Sequence, residues 1–443
     1  MIDIRVARPD DLAAVGALTA GAYLADGLLH DGDAYADELR DAARRAREAV
    51  LLVAVAPAAD GQETVVGTIA VAPYGSRYAE IAEPGEAELR MLAVAPGARR
   101  HGVAARLMRA AWRVSLARGI RRVVLSTGDE MVAAQRLYGR LGLVRQPERD
   151  WGHVVIHLRV YAWVPPTPPG VRVEAATWPA VRTAITEDGW HAGMSGGWTR
   201  RANSALPLGD PSDLGAAVDR IEAVYRDAGL PLAVRIDSAA PAGLADELAR
   251  RGYRGQAWTD VLVRDVPVRD MPAWDGVEPD EPDLGDVSLR VTDEPDDRWL
   301  RAFLGFGGRA GADPDGGAAQ AQLARSVLAG APAQYVTAAI GEEPVATLRV
   351  ACAQQWAELS CLAVVPGERR RGLGRTLTRR GLALAGRRGA RRAFLQVEVA
   401  NAGAAALYAG LGFELADGYR YFVGPGVTAL DDRSAAVRNT FNT

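Results

Sequence analysis

The sequence predicts a fold of the α/β (α+β) class, present as tandem copies that are each a mixed twisted sheet with helices on both faces. Three observations predict it. Segments that read as strands and helices alternate through the 443 residues. The stretch from Glu88 to Leu143 recurs at Glu358 to Phe413 with a constant offset of 270 and no gap. Two proline-rich segments divide the chain. The offset far exceeds the roughly 20–50 residues of a solenoid repeat, so the copies read as duplicated domains.

The first domain, 1–163, begins with a strand at 2–7. Asp10-Asp11-Leu12 then opens an amphipathic helix with Leu12, Val15, Leu18 and Tyr23 on one stripe. A charged helical stretch near Arg40–Arg47 precedes two apolar runs, Val50–Ala56 and Val65–Pro73, which read as strands joined by a hairpin turn at Ala59-Asp60-Gly61. The strand Glu88–Val94 ends at Pro96-Gly97. A glycine turn, a helix to about Arg118, a strand Val123–Leu125, a helix around Ala133–Leu141 and a strand Val154–Val160 follow.

Residues 164–170, Val-Pro-Pro-Thr-Pro-Pro-Gly, form a stiff linker. Residues 171–265 read as a strand Val171–Glu174, a helix, a strand near Leu232–Ile236, a helix Leu244–Arg250, then Gly252-Tyr253 and a strand Asp260–Arg264. This middle section has the closing helix, glycine-aromatic pair and strand of the repeat, but not its glycine turn. An acidic, proline-rich linker spans 266–287. The third section, 288–423, repeats the layout of the first, and 424–443 is a peripheral tail.

A hydrophobic fraction of 49% with 24% charged residues places the chain among folded proteins. The net charge of −3 supplies no global attraction to nucleic acid or to anionic membrane. No apolar run reaches the ~20 residues of a membrane span. Met1–Arg5 reads as a strand without signal-peptide character, so a cytoplasmic location is expected. Cys352 and Cys361 are too few for a disulfide framework or a zinc site. His153 and His157 are likewise too few to hold a metal, and none is expected. All 52 basic residues are arginine, which fits the codon usage of a GC-rich genome together with only four asparagines.

The chemistry sits in the repeat. A strand ending in Pro-Gly, then Arg-x-x-Gly-x-Gly and a helix, gathers backbone N–H groups at a helix N-terminus, which is an anion site. In the second copy the segment is Arg369-Arg370-Arg371-Gly372-Leu373-Gly374-Arg375; the glycines permit positive φ and close approach of a phosphate, and the arginines add charge-assisted bonds. The first copy has Arg99-Arg100-His101-Gly102-Val103-Ala104, with alanine in place of the second glycine. About 30 residues on, both copies end a helix with Leu-Tyr-x-x-x-Gly-(Leu/Phe), at Tyr138 and Tyr408.

Leu362-Ala363-Val364-x-Pro366, the turn, and Asn401-x-x-Ala404-x-x-Leu407-Tyr408-x-x-x-Gly412-Phe413 together resemble the GNAT superfamily of acyl-CoA-dependent N-acyltransferases. The resemblance covers the first copy too, except that Met131 replaces Asn401 and Ala104 replaces Gly374. It implies a V-shaped splay between two parallel strands that receives the pantetheine arm of acetyl-CoA. The pyrophosphate would lie on Arg369–Arg375, and on Arg99–Ala104 in copy one. Strand groups at Leu362 and Val364, or Leu92 and Val94, would meet the pantetheine and acyl carbonyl. Asn401 would support cofactor binding, and Tyr408 and Tyr138 would protonate the leaving thiolate.

Attack on a thioester requires a neutral amine, a donor to the developing oxyanion and a proton for sulfur. Glu358 and Glu88, on the strand leading to the acyl site, suit the removal of the amine's proton; equally, they suit a salt bridge. The tyrosines also suit packing of a helix on a sheet, with the acid role favoured at Tyr408. The more complete motif favours copy two for catalysis, with copy one binding cofactor or serving as scaffold.

Gly197–Leu208 in the middle section resembles a segment in the amino-terminal lobe of actinobacterial GNAT proteins linked to N-acetylglutamate synthesis. By that resemblance 171–423 is one two-lobed acyltransferase with a degenerate GNAT-like lobe first. Arg201, Asn203 and Ser204 would then face the substrate, Arg201 pairing with a carboxylate; the alternative is a turn whose side chains satisfy its own backbone. The expected activity is acetyl transfer from acetyl-CoA to an amine of a small molecule, such as an amino acid or antibiotic. Alternatives are protein or peptide N-acetylation, an enzyme similar to mycothiol synthase, and an acyl-CoA sensor without turnover. No nucleic-acid or membrane partner is expected, and the sequence sets no oligomeric state.

Overall fold

A computed structural model describes residues 2–27, 34–57, 62–153, 156–256, 258–266, 285–306 and 314–425. The Ala59–Gly61 turn and most of the second linker and tail lie outside these residues. The chain divides into two compact units, Met1–Pro165 and Pro166–Thr443. No helix among the described residues is long and apolar enough to cross a membrane.

The first unit runs β1 (Asp3–Val6), α1 (Leu12–Ala25), α2 (Ala34–Arg40), α3 (Ala42–Glu48), β2 (Val50–Pro57), β3 (Glu63–Pro73) and β4 (Glu86–Val94). It continues with α4 (Val103–Leu116), β5 (Arg122–Gly128), α5 (Val132–Arg140), β6 (Val144–Arg145), β7 (Trp151–His153) and β8 (Ile156–Trp163). Its sheet has the order β1-β2-β3-β4-β5-β8-β6, with β7 beside β8. The apolar face of α4, with Leu107, Met108 and Ala111 buried, covers one side of β2–β4. Helix α1 packs on β3 and β4.

The second unit opens with α6 (Val171–Thr177), β9 (Arg182–Ile185), β10 (His191–Met194), β11 (Ala205–Leu206), α7 (Leu214–Asp227) and β12 (Ala233–Ile236). Then come α8 (Leu244–Arg250), β13 (Arg254–Gly255), β14 (Thr259–Asp265), β15 (Val287–Thr292), α9 (Asp297–Phe306) and α10 (Pro314–Leu328). It ends with β16 (Ala333–Ile340), β17 (Glu343–Ala353), β18 (Trp356–Val364), α11 (Leu373–Arg387), β19 (Arg392–Glu398), α12 (Ala402–Ala409) and β20 (Glu414–Val423). The expected strand at Val171–Glu174 is instead the helix α6. Its alternating Val-Arg-Val-Glu has strand periodicity, but tertiary contacts prevail: Glu174 is buried, bonding Arg235 at 2.8 Å and accepting from Gln396.

The order β15-β16-β17-β18-β19-β14-β20-β12-β11-β10-β9 makes the second unit one continuous sheet. Compared with β4-β5-β8-β6 in the first unit, the place of β8 is taken by β14, a strand of the middle section. It pairs with β19 from Thr259↔Glu398 to Asp265↔Arg392 on one edge and with β20 on the other. Strand β20 in turn runs on into the middle section's sheet, pairing Ala233↔Val423 through Ile236↔Arg420 with β12. The two lobes thus exchange closing strands, and the linker at 266–287 joins parts of one sheet.

Candidate active site

The site is built where parallel strands part. In the second unit β18 and β19 pair only at Trp356↔Arg392, Ala357↔Ala393 and Glu358↔Phe394. Both continue, β18 to Val364 and β19 to Glu398. Their outer edges stay bonded, β18 to β17 and β19 to β14, so the strands diverge and leave facing edges without a ladder. A bulge helps turn β18 away: register with β17 shifts beyond Thr347, and Cys361 takes φ 56°. The first unit repeats this geometry, with pairing at Glu86↔Arg122, Ala87↔Val123 and Glu88↔Val124 and a bulge at Met91, φ 54°. Leu362 and Val364, and Leu92 and Val94, lie on the diverging segments.

At the strand's end Arg369 donates from Nε to the Val364 carbonyl, and Arg99 does the same to Val94, both at 3.2 Å. The turn then passes through two left-handed residues, Arg370 (φ 67°) and Gly372 (φ 87°), matched by Arg100 (φ 68°) and Gly102 (φ 76°). Gly372 and Gly102 occupy the N-cap positions of α11 and α4 without a side-chain cap, so the first N–H groups of each helix keep no side-chain acceptor there. Gly374 does not share this conformation; it is the second residue of α11, and a Cβ there would meet Leu407 of α12 at 3.2 Å. The second glycine is therefore a packing residue, a correction to its expected role as a positive-φ position.

The flanking arginines are partly committed. Arg99 pairs with Asp26 at 2.7 Å, Arg371 with Glu368, and Arg375 reaches the Gly410 carbonyl at 3.3 Å. Arg369 Nη2 is buried without a hydrogen-bond partner. Leu373 and Val103 are buried helix-start residues, while Arg370, His101 and Arg100 are exposed. Asn401 is the N-cap of α12, its Oδ1 accepting from the Ala404 N–H at 3.0 Å. Met131 caps α5 with no side-chain bond.

Tyr408 rests edge-on against Phe413 at 5.9 Å, and Tyr138 lies 5.7 Å from Tyr161. Burial raises both phenols above their ordinary range, so both keep their protons at neutral pH.

The two glutamates at the points of divergence differ. Glu358 is 1% exposed and faces two guanidiniums, Arg201 Nη1 at 2.5 Å and Arg349 Nη1 at 3.7 Å. Both cations lie over Trp178, at 4.6 and 5.2 Å from the ring centre. Glu88 is also buried, but accepts from the Ile81 N–H at 2.8 Å and Arg90 at 3.3 Å, and desolvation raises its carboxyl. In linkage terms a raised carboxyl favours the folded state most at acid pH and loses that contribution as pH climbs from 4.5 through the folded value. Glu88→Gln is therefore expected to flatten the fall in melting temperature just above pH 4.5, read by thermal unfolding across a pH series.

The segment expected to face substrate is mostly a braced turn. Asn203 Oδ1 accepts from the Ser195 and Gly197 N–H groups at 2.6 and 2.9 Å, and its Nδ2 donates to the Thr199 carbonyl at 2.6 Å. Asn203 and Ser204 are 3% and 2% exposed. Asn203 thus follows the alternative of a turn whose side chains satisfy its own backbone, whereas Ser204 Oγ is buried without a hydrogen-bond partner. Arg201, projecting from the same turn, binds Glu358, so the carboxylate it meets belongs to the protein. Asn203→Ala should cost about 2–3 kcal/mol, since buried N–H groups lose their acceptor, and denaturant titration reads this directly.

The importance of Arg349 and Trp178 is not apparent from the sequence, because neither lies in the repeated motif. Among the described residues no group of His, Cys, Asp and Glu could hold a metal.

Residues 172–422 match the family described as "Probable histone acetyltransferase Rv0428c C-terminal". Residues 22–143 match "Acetyltransferase (GNAT) family". Among solved structures, a GCN5-related N-acetyltransferase from Kribbella flavida is 19% identical with TM-score 0.43, over 60% of this chain and 99% of that one. A tandem GNAT protein from the clavulanic acid biosynthesis pathway is 14% identical with TM-score 0.32, over 96% and 98%. A GCN5-related N-acetyltransferase from Sphaerobacter thermophilus is 15% identical with TM-score 0.32, over 97% and 98%. No curated protein matches.

Proposed function

The chain belongs to the acetyltransferase family described as "Probable histone acetyltransferase Rv0428c C-terminal", and from that premise we propose that it moves the acetyl group of acetyl-CoA onto the amine of a small molecule. The observation that carries this is the divergence of β4 from β5 and of β18 from β19, each followed by a left-handed turn at a helix N-terminus. Facing strand edges without a ladder suit an extended arm that carries its own amides, by the logic of strand addition. N–H groups at the start of α4 and α11 suit a pyrophosphate. Acetyl-CoA supplies the activated acyl group; the rest falls to the chain.

Leu92 and Val94, and Leu362 and Val364, line the arm. Tyr138 and Tyr408 hold a proton for the departing sulfur. Glu88, with its carboxyl raised by burial, removes the proton of the amine in the first unit. Glu358, matched by two arginines, holds the acceptor-side turn through Arg201. Direct attack in a ternary complex needs no covalent enzyme intermediate, and orientation of the two reactants lowers its barrier. The family description names histones, so a lysine-bearing peptide is the second acceptor class.

Calorimetry with acetyl-CoA, followed by mass spectrometry over a panel of amines and a histone-tail peptide, tests the reading. Two binding sites are expected. Gly372→Val, which places a β-branched residue at φ 87°, should remove one of them. Unaltered stoichiometry in that variant would refute the assignment of the turn.

A further inference from the structure

The surroundings of Glu358 hold one positive charge more than they balance. Arg201 and Arg349 both pair with Glu358, and no other ion pair with either guanidinium forms among the described residues. Two cations beside one carboxylate in a desolvated place are costly unless a further anion joins them. The two arginines are not alike. Arg349 is 0% exposed and anchored from behind: its Nε and Nη2 meet the Leu328 carbonyl at 3.2 and 2.9 Å, at the end of α10, where the helix carries partial negative charge. Arg201 has no such anchor. Glu358 engages its Nη1, and the side chain keeps 26% of its surface exposed. The surplus charge therefore falls on the guanidinium that solvent, and so a ligand, reaches.

The position is informative. Glu358 forms the last pair of the parallel ladder, opposite Phe394, and the strands part beyond it. Ser360 follows two residues on, in register with Arg349 of β17, and its buried Oγ has no hydrogen-bond partner; nor do Glu358 Oε2 and Arg349 Nη1. Ser360 to Val364 are each partly exposed, whereas Met91 and Ala93, which match Cys361 and Ala363 in the repeat, are buried. The first unit does not repeat the charge arrangement either. Glu88 ion-pairs with one guanidinium, Arg90, which it shares with Glu80 at 2.7 Å. Arg201 comes from a turn of the middle section and from none of the strands that line the arm, which assigns it to the acceptor and not to the coenzyme.

We propose that the second unit selects acceptors that carry a carboxylate beside the amine, as an amino acid does, and that Arg201 receives that carboxylate on the nitrogens Glu358 leaves free. The inference rests on the reading of that unit as an acetyltransferase. A planar guanidinium holds two carboxylates at once, one at Nη1 and one along the edge formed by Nε and Nη2. The acceptor's carboxylate then neutralises the surplus charge.

The test uses the full chain. Release of the coenzyme thiol from acetyl-CoA is measured over a panel of L-amino acids, each paired with the amine left by its decarboxylation. For at least one pair kcat/KM should favour the amino acid by about 10-fold or more. Arg201→Gln should erase that difference through KM, and Arg201→Lys, which keeps the charge and loses the fork, should retain part of it. A wild type that treats both members of every pair alike overturns the proposal, as does a preference that survives Arg201→Gln. Equal losses for both members of each pair in the two variants overturn it too, and leave Arg201 as a brace for Glu358. An Arg201-dependent preference seen only for succinyl-CoA over acetyl-CoA moves the carboxylate to the acyl group, and the acceptor assignment fails. Calorimetry of the same pairs, with and without CoA, reads the site without turnover. A carboxylate preference there that Arg201→Gln removes, with no acetyl transfer in any pair, sinks the acetyltransferase reading and leaves the Arg201 site standing.

Discussion

A chain beginning at residue 285, which keeps the whole second motif from β15 onward, should not fold as a monomer. It lacks β14, and with it the partner of β19 along its whole length and of the first half of β20. Val261, Leu262 and Val263 are at most 7% exposed in the intact protein. Burial of three such side chains contributes about 5–9 kcal/mol, as much as the whole net stability of many domains. The remainder of β20, Tyr421 to Val423 included, would lose β12 as well and expose Phe422. Circular dichroism and size exclusion should show an aggregate or a strand-swapped oligomer, with no cooperative melt. Residues 1–165, whose sheet closes with its own β8, should melt cooperatively alone. A cooperative, monomeric 285–443 fragment would show that the exchange of β14 and β20 is dispensable.

That exchange marks the limit of what the sequence discloses. The helices around the turns, the strands flanking them and the parallel pair are legible because each is set by local periodicity, capping and glycine placement. Which strand lies beside β19 is a non-local choice. The run Thr259–Asp265 is apolar enough to be buried on both faces wherever it inserts, and nothing in its own residues names its neighbours. α6 fails for a related reason: its pattern is that of a strand, and only the distant Arg235 and Gln396 explain why Glu174 must point inward from a helix. In the site, the divergence of strands follows from the motif, whereas the fate of Glu358 depends on Arg201, 157 residues earlier.

The differences between the copies also change meaning. Gly374 makes room for Leu407, and Asn401 caps α12, a contribution of about 1 kcal/mol. Both are explained by the packing of a helix that Ala104 and Met131 accommodate otherwise. The greater completeness of the second motif thus also has a meaning in helix packing and stability.

Tyr408→Phe and Tyr138→Phe should each silence one unit, and the double variant should lose about 10²–10⁴-fold in kcat with acetyl-CoA affinity unchanged. No protein hydrogen bond to either hydroxyl is present among the described residues. Removing the oxygen then leaves packing intact, and melting temperatures should stay within about 1 kcal/mol of wild-type stability. Because burial raises both phenols above 10.0, protonated tyrosine persists through neutral and mildly basic pH. Loss of the proton from tyrosine should consequently impose no fall in kcat below pH 10, while a fall on the acid side reports removal of the amine's proton. Product analysis of the two single variants against separate acceptors assigns each unit its substrate. A double variant with wild-type kcat would show that the departing thiolate takes its proton from elsewhere.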